Sequence, residues 1–267
     1  MDVIGIASGK GGVGKTSTAV NLAVGLTLRG HKVMLFDADM GLANAQLTLG
    51  CPTEFNFGHV LSGEKTLEEI IVTTRQGIRL VPGASGVQKL ASLSPLEASA
   101  IVQAFSSIEE EIDFLIVDSA AGISNSVLTF MQASQRRLIV LRDEPSSIAD
   151  AYGTIKVLIN DCKLDEIYVV PNMVDSQLAG QLLYKRINEV CKKFLGRPVK
   201  YLHSITNDEH MLTAARNYQS VLEYAPGGNA ARDFRKLAES VAAMSGTTTA
   251  NGGVQFFFER MIGQKSA

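Results

Sequence analysis

The stretch SGKGGVGKT, residues 8–16, follows a short apolar run and opens a segment with helical periodicity. Four of its nine residues are glycines, which let the backbone approach a ligand closely and adopt positive φ angles. Lys15 and Thr16 close the stretch, at the first turn of the predicted helix. A loop of this composition between a strand and a helix is typical of a phosphate-binding loop.

The loop predicts a nucleoside triphosphate site that uses ATP and Mg²⁺. Lys15 is expected to contact the β- and γ-phosphates, and the Thr16 hydroxyl is expected to bind Mg²⁺. Backbone N–H groups and the helix N-terminus would supply the remaining positive field. The expected nucleotide-binding residues of the loop are Gly9, Lys10, Gly11, Gly12, Val13, Gly14, Lys15, Thr16 and Ser17.

Around the loop, short apolar runs alternate with amphipathic stretches. The runs are continuous, as in strands that are buried on both faces of a parallel sheet. Strands are predicted over residues 3–7, 32–37, 78–82, 114–118, 137–141, 167–171 and 199–202. Helices are predicted over residues 16–29, 95–110, 124–134, 146–160, 178–194, 208–217 and 230–244. This alternation predicts an α/β fold with a doubly wound, mostly parallel sheet flanked by helices.

Polar residues follow several of these strands, at the edge where such sheets bind ligands. Asp118 suits a carboxylate that holds Mg²⁺ through its water shell, and Asp39 suits one that orients the attacking water and lies near the metal. For Asp37 a structural role and a direct chemical role are both open. Asn172 is expected to hydrogen-bond an adenine edge, with a plain turn residue as the alternative.

The composition is that of a globular protein, with 46% hydrophobic and 19% charged residues. A net charge of −2 provides no general attraction for nucleic acid. The three cysteines form no CxxC pair, which favours free thiols in a reducing compartment. The sequence shows no signal peptide and no apolar run near the ~20 residues of a membrane span. We therefore expect a cytoplasmic protein.

Lys10 stands too early in the loop to act as the usual phosphate clamp. The pattern K-G-G-x-G-K-T is the deviant Walker A motif, and the sequence here resembles the MinD/ParA class of P-loop ATPases. The resemblance implies that Lys10 reaches the phosphates of a partner subunit, so that ATP drives homodimerisation. It also implies catalytic roles for Lys10, Lys15 and Asp39. DADMGLAN and DSAAG match two switch segments, with Asp37, Asn44 and Gly122 as switch residues.

More narrowly, DEPSSIADAYGTIKVL, VPNMV and FFFERM resemble the FlhG (FleN) family, which sets flagellar number and location in bacteria. The resemblance implies two partners, the flagellar transcription activator FleQ and the GTPase FlhF. The DQAxxLR-type segment that stimulates FlhF is not found, since the first predicted strand starts within the first three residues. We therefore expect a FleN-like member that restrains the activator.

The end of the chain changes in composition. Residues 1–244 are predicted to form the ATPase domain, 245–253 a flexible linker and 254–267 an amphipathic segment. On a helical wheel one apolar arc holds Val254, Phe257, Phe258, Met261 and Ile262, whereas Phe256 falls on the polar side. This segment is expected to dock on its own domain, to lie peripherally on the membrane, or to bind a partner.

Three functions stay open at this point. The first is an ATP-switched dimeric regulator of flagellar number or placement. The second is a division-site or partitioning ATPase of the same fold. The third is a metabolic P-loop enzyme, which would need an additional substrate pocket.

Overall fold

The computed structural model of the chain describes residues 1–41, 43–84, 93–244 and 255–257. A nine-stranded sheet runs through them, with the order β3-β4-β2-β5-β1-β6-β7-β8 and with β9 beside the carboxyl end of β7. The strands are β1 (Asp2–Ser8), β2 (Val33–Ala38), β3 (Val72–Thr73), β4 (Arg79–Val81), β5 (Phe114–Ala121), β6 (Arg136–Leu141), β7 (Ile167–Val174), β8 (Lys200–Tyr201) and β9 (Ile205–Thr206).

All the strand pairs in the described residues are parallel except β3 with β4. The carboxyl ends of the central strands therefore meet at one edge. The helices are α1 (Lys15–Thr27), α2 (Ala45–Thr48), α3 (Phe57–Leu61), α4 (Leu67–Ile70), α5 (Pro95–Ala104), α6 (Asn125–Ala133), α7 (Pro145–Asn160), α8 (Gln177–Leu195), α9 (His210–Arg216), α10 (Val221–Tyr224) and α11 (Asn229–Ala242).

Helices cover the sheet on both faces because successive strand residues point in opposite directions. In β1, Ile4 and Ile6 join the core formed with α1 and α11, whereas Val3 joins the core formed with α5 and α6. Ala7 packs in a third cluster with α7 and α8. The predicted doubly wound α/β fold is confirmed.

The seven predicted strands and seven predicted helices are present with slightly different ends. The helix predicted over 95–110 ends earlier, at Ala104, and a 3₁₀ turn over Phe105–Ser107 follows it. Four helices of four or five residues (α2, α3, α4 and α10) and two strands of two residues (β3 and β9) were not predicted from the sequence. Elements this short span too few residues to display a periodic pattern.

The predicted linker lies outside the described residues, as do Val254, Phe258, Met261 and Ile262 of the predicted tail. Phe256 and Phe257 are described and form a turn rather than a helix, with φ 57° at Phe257. Both rings are fully buried in the core beside α5 and α6. The polar position that the helical wheel assigns to Phe256 is therefore wrong. None of the helices in the described parts of the chain is both long and apolar enough to cross a membrane.

Candidate functional site: a nucleotide site at the carboxyl edge of the sheet

The phosphate-binding loop connects β1 to α1 at the centre of this edge. Gly14 is the N-cap of α1 and lies in the left-handed region, with φ 87° and ψ 28°. No side chain makes a capping hydrogen bond to this end of the helix. A Cβ at Gly9 would lie 2.3 Å from backbone atoms of Asp150, because α7 passes directly beside the loop. Glycine at both positions thus allows the tight turn and the close helix packing that the motif requires.

Lys15 and Asp118 form a buried ion pair at the base of the loop. The Lys15 Nζ lies 2.6 Å from the Asp118 Oδ1, and both side chains are buried. Asp118 lies in β5, adjacent to β1, which carries the loop. The structure thus brings together the two residues that the sequence analysis assigned to phosphate and to Mg²⁺. Removing either partner would leave an uncompensated buried charge, a change that costs about 3–5 kcal/mol.

The second carboxylate oxygen of Asp118, Oδ2, is buried and has no hydrogen-bond partner in the described residues. An unpaired buried carboxylate oxygen is suited to a cation or to one of its water ligands. Thr16 lies half-buried at the second position of α1, next to Lys15. Mg²⁺ at nucleotide sites takes one or two protein oxygens together with phosphates and waters, and these two residues offer such oxygens.

Asp37 lies opposite Asp118 in the pairing of β2 with β5. Its Oδ2 accepts hydrogen bonds from the backbone N–H groups of Asn44 and Ala45, both at 2.8 Å, so it holds the first turn of α2. Burial, followed by the charge of Asp118, raises the pKa of Asp37 to about 7. The folded chain therefore binds the proton of Asp37 more tightly than the unfolded chain does. The stabilisation from this proton is fully present below the ordinary pKa of 3.8, and it is lost as the pH rises to about 7.

The two predicted switch segments flank the loop. Asp39 follows β2 and is half-buried, and its Oδ1 accepts a hydrogen bond from the Gly41 N–H at 3.3 Å. Gly122, after β5, donates its N–H to the Ser8 carbonyl at 2.8 Å, which ties the second segment to the start of the loop. Both segments therefore lie at the same edge as Lys15. The catalytic role of Asp39 and the switching of Asn44 and Gly122 stay predictions.

The side chain of Lys10 makes different contacts from that of Lys15. Its Nζ lies 3.3 Å from Glu144 Oε2 and donates to Ser146 Oγ at 2.9 Å, at the start of α7. The Lys10 side chain is 42% exposed, whereas that of Lys15 is 8% exposed. One loop thus carries a buried cation and a second, exposed cation at the rim of the site.

Asn172, near the carboxyl end of β7, is buried against the loop. Its Nδ2 donates to the Val13 carbonyl at 2.7 Å. The contact seen here is therefore with the loop backbone, and the predicted contact with an adenine edge stays a prediction.

Glu144 and Ser146 were given no role by the sequence analysis, although their segment was singled out by resemblance. They flank Pro145, the first residue of α7, at the end of the short connection between β6 and α7. Their place shortly after a buried strand beside β1 was the available signal, since parallel strands end at the ligand-binding edge.

The doubly wound sheet, the two-lysine loop and the buried carboxylate of Asp118 define a MinD/ParA-class P-loop ATPase. Residues 1–175 match a family model described as an AAA domain, and the chain belongs to this family. The prediction of this class is confirmed.

Two curated relatives span nearly the whole chain. The chain is 38% identical over 262 residues to the antiactivator FleN of Pseudomonas aeruginosa, a match that covers 98% of this chain and 94% of the relative. It is 34% identical over 263 residues to the flagellum site-determining protein YlxH of Helicobacter pylori, with 97% and 89% covered. The resemblance to FlhG/FleN proteins is thus confirmed.

Solved structures show the same fold. The septum site-determining protein MinD of Pyrococcus horikoshii, complexed with Mg-ADP, is similar with a TM-score of 0.77 and 26% identity, over 94% of this chain and 99% of that one. The cell division ATPase MinD of Pyrococcus furiosus is similar with a TM-score of 0.76 and 26% identity, over 91% and 99%.

Proposed function

We propose that this protein is an ATP-switched regulator that dimerises on ATP, hydrolyses it slowly with Mg²⁺ and acts on flagellar number or placement. The observation that carries the proposal is the divergence of the two lysines in one loop. Lys15 is buried and forms an ion pair with Asp118, while Lys10 lies exposed at the rim of the site. A cation at the rim can stabilise transferring phosphate in a second subunit, as an arginine finger does.

The buried pair suggests how ATP is bound. Lys15 and Asp118 satisfy each other's charge in the present structure. On binding Mg-ATP, Lys15 would exchange Asp118 for phosphate oxygens, and Asp118 would turn toward the Mg²⁺ and its waters. Mg²⁺ would neutralise part of the charge on the phosphates. The protein would supply the position of the loop and the orientation of the attacking water by Asp39.

ATP turnover per subunit is expected to rise with protein concentration, because the site is complete only when Lys10 of another subunit is present. The measurement is the release of inorganic phosphate at saturating ATP over a wide range of protein concentrations. A rate per subunit that stays constant over the whole range would contradict the dimer switch.

The flagellar role is supported by the relatives. FleN of P. aeruginosa is an antiactivator, and YlxH of H. pylori is a flagellum site-determining protein. We propose by analogy that this chain restrains a flagellar transcription activator of the FleQ kind, with the FlhF GTPase as a second candidate partner. The division-site alternative has weaker support, since the MinD relatives of Thermotoga maritima and Bacillus subtilis are 31% identical over 212 residues and 25% identical over 249 residues. A metabolic P-loop enzyme is the alternative from another class.

The tail is proposed to be held on its own domain until it is released toward a membrane surface. Phe256 contacts Phe105 and Phe130, with ring centroids 5.0 and 6.4 Å apart. Phe130 belongs to α6, the helix that follows the second switch segment. If the second switch segment moves when the nucleotide changes, the packing of Phe256 against Phe130 would therefore be disturbed. Two tails in a dimer would then bind a membrane more tightly than one.

Removing residues 254–267 is expected to abolish ATP-dependent binding to vesicles that contain anionic lipid. The full chain with ATP should co-sediment with the vesicles, and more weakly with ADP, because one short apolar segment binds only weakly. The melting temperature of the truncated chain serves as the control for folding. Equal sedimentation of truncated and full chains would contradict the membrane role and leave docking on the domain or binding of a partner as the function of the tail.

A further inference from the structure

The side chain of Asp233, in α11, is a buried carboxylate that contacts three other parts of the chain, at Gln177, His203 and Thr206. Its Oδ2 accepts the Thr206 N–H at 2.8 Å, and its Oδ1 accepts the Gln177 Nε2 at 2.8 Å and contacts the His203 Nε2 at 3.3 Å. Burial acts to raise the pKa of Asp233, but hydrogen bonds from His203 and Thr206 outweigh it and hold this pKa below its usual value. The carboxylate is therefore charged and engaged from several sides.

Asp233 fixes the position of β9, a strand of only two residues. Of these, Thr206 donates its N–H to Asp233, and Ile205 lies opposite Asn172 in β7. Gln177 adds a second restraint, since its Nε2 also donates to the Ser204 carbonyl at 3.0 Å. A two-residue strand has few ladder hydrogen bonds of its own, so these side-chain contacts hold it against β7.

The part of β7 that pairs with β9 is irregular. The register shifts between Asn172 and Val174, and Met173 between them has φ 54°, in the left-handed region that non-glycine residues seldom occupy. Such a conformation persists only where the surroundings hold it. β9 and the residue after it supply part of that support, through the Asn172–Ile205 pairing and the hydrogen bond from the Asn207 N–H to the Val174 carbonyl at 2.8 Å.

Asn172 transmits this position to the phosphate-binding loop. Its Nδ2 donates to the Val13 carbonyl at 2.7 Å. A Cβ built on Gly14 would lie 2.2 Å from the same Nδ2, so the amide is packed directly against the N-cap of α1. A shift of Asn172 would therefore disturb two adjacent residues of the loop just before Lys15.

We infer that Asp233 is a positioning residue for nucleotide binding, which acts through β9 and Asn172 on the phosphate-binding loop. The inference rests on the proposed ATP binding. α11 is also the last helix before the predicted linker. Asp233 thus connects the C-terminal helix of the domain with the loop through its hydrogen bond to Thr206, the pairing of Ile205 with Asn172, and the hydrogen bond from Asn172 to Val13.

Asp233→Ala is expected to raise the KM for ATP about tenfold, the equivalent of about 1.4 kcal/mol, because it removes a buried hydrogen-bond acceptor. The value of kcat at saturating ATP should stay within about twofold, since Lys10, Lys15 and Asp39 are unchanged. Asp233→Asn keeps one oxygen for the Thr206 N–H and should restore part of the affinity. A fluorescent ATP analogue measures binding in parallel with turnover.

Asn188→Ala is the matched control. Asn188 lies in α8, and its Oδ1 also accepts a backbone N–H beside a short strand, that of Val199 just before β8, at 3.0 Å. β8 pairs with β7 at Tyr168 and Val169, farther from the loop. Asn188→Ala should lower the melting temperature with an unchanged KM. Wild-type KM in both Asp233 variants, or an equal rise of KM in Asn188→Ala, would overturn the inference. A wild-type chain that binds no ATP would instead overturn the proposed function.

Discussion

Lys10→Ala is expected to abolish ATP-dependent dimerisation while a single subunit still binds ATP. The Lys10 ammonium lies at the rim on Glu144 and Ser146, apart from the buried pair of Lys15 with Asp118. Its loss should therefore leave the nucleotide cradle of its own subunit intact. A cation that acts on the transferring phosphoryl group of a second subunit is worth about 10³–10⁵ in rate in comparable enzymes. Turnover should accordingly fall at least about a hundredfold.

Light scattering with a slowly hydrolysed ATP analogue gives the mass of the wild type and the variant, and fluorescence titration gives the affinity of the subunit. Lys192→Ala is the control, because Lys192 forms a similar exposed ion pair with Glu189 at 3.0 Å on α8. It should dimerise as the wild type does. A Lys10→Ala protein that dimerises normally with ATP would show that Lys10 works only within its own subunit.

Much of the fold was predictable because local sequence patterns determine its strands, helices and phosphate-binding loop. The apolar residues 33–36 of β2 and 138–141 of β6 are buried at every position, as continuous apolar runs predict. The loop sequence placed Lys15 at the start of α1, and the rule that ligands bind at the carboxyl ends of strands placed Asp118 beside it. These predictions needed only the sequence and the handedness of strand–helix–strand units.

The remaining features depend on contacts between distant parts of the chain. Asn172 donates a hydrogen bond to the carbonyl of Val13, 159 residues away in sequence, and no local sequence pattern predicts that bond. Phe256 is polar-facing on a helical wheel but buried in the structure, because the chain turns there and the ring meets Phe105. The contact of Lys10 with Glu144 likewise depends on how closely α7 passes the loop. Periodicity reports which face of a regular element is apolar, and it is silent where the backbone leaves that element.

Asp39→Ala is expected to keep ATP binding, to slow hydrolysis and to accumulate the ATP-bound dimer. Asp39 follows β2 at the ligand-binding edge, half-buried, in the segment whose start is held by Asp37. Lys15 and Asp118 bind each other without it, so affinity for ATP should change little. A carboxylate that orients or deprotonates the attacking water contributes about 10²–10⁴ in rate. Turnover should fall about a hundredfold or more, which lengthens the life of the dimer.

Single-turnover hydrolysis measures the chemical step, and light scattering after ATP addition measures how long the dimer lasts. Asp113→Ala is the matched control, since it removes the same charge from the residue just before β5, at the opposite end of the sheet, where its Oδ2 accepts the Lys32 N–H at 2.8 Å. The control should hydrolyse ATP at the wild-type rate. Lys10→Ala and Asp39→Ala then have opposite effects on assembly, because the first lacks the contact that forms the dimer and the second lacks the step that ends it. If Asp39→Ala hydrolyses ATP like the wild type, another group orients the attacking water.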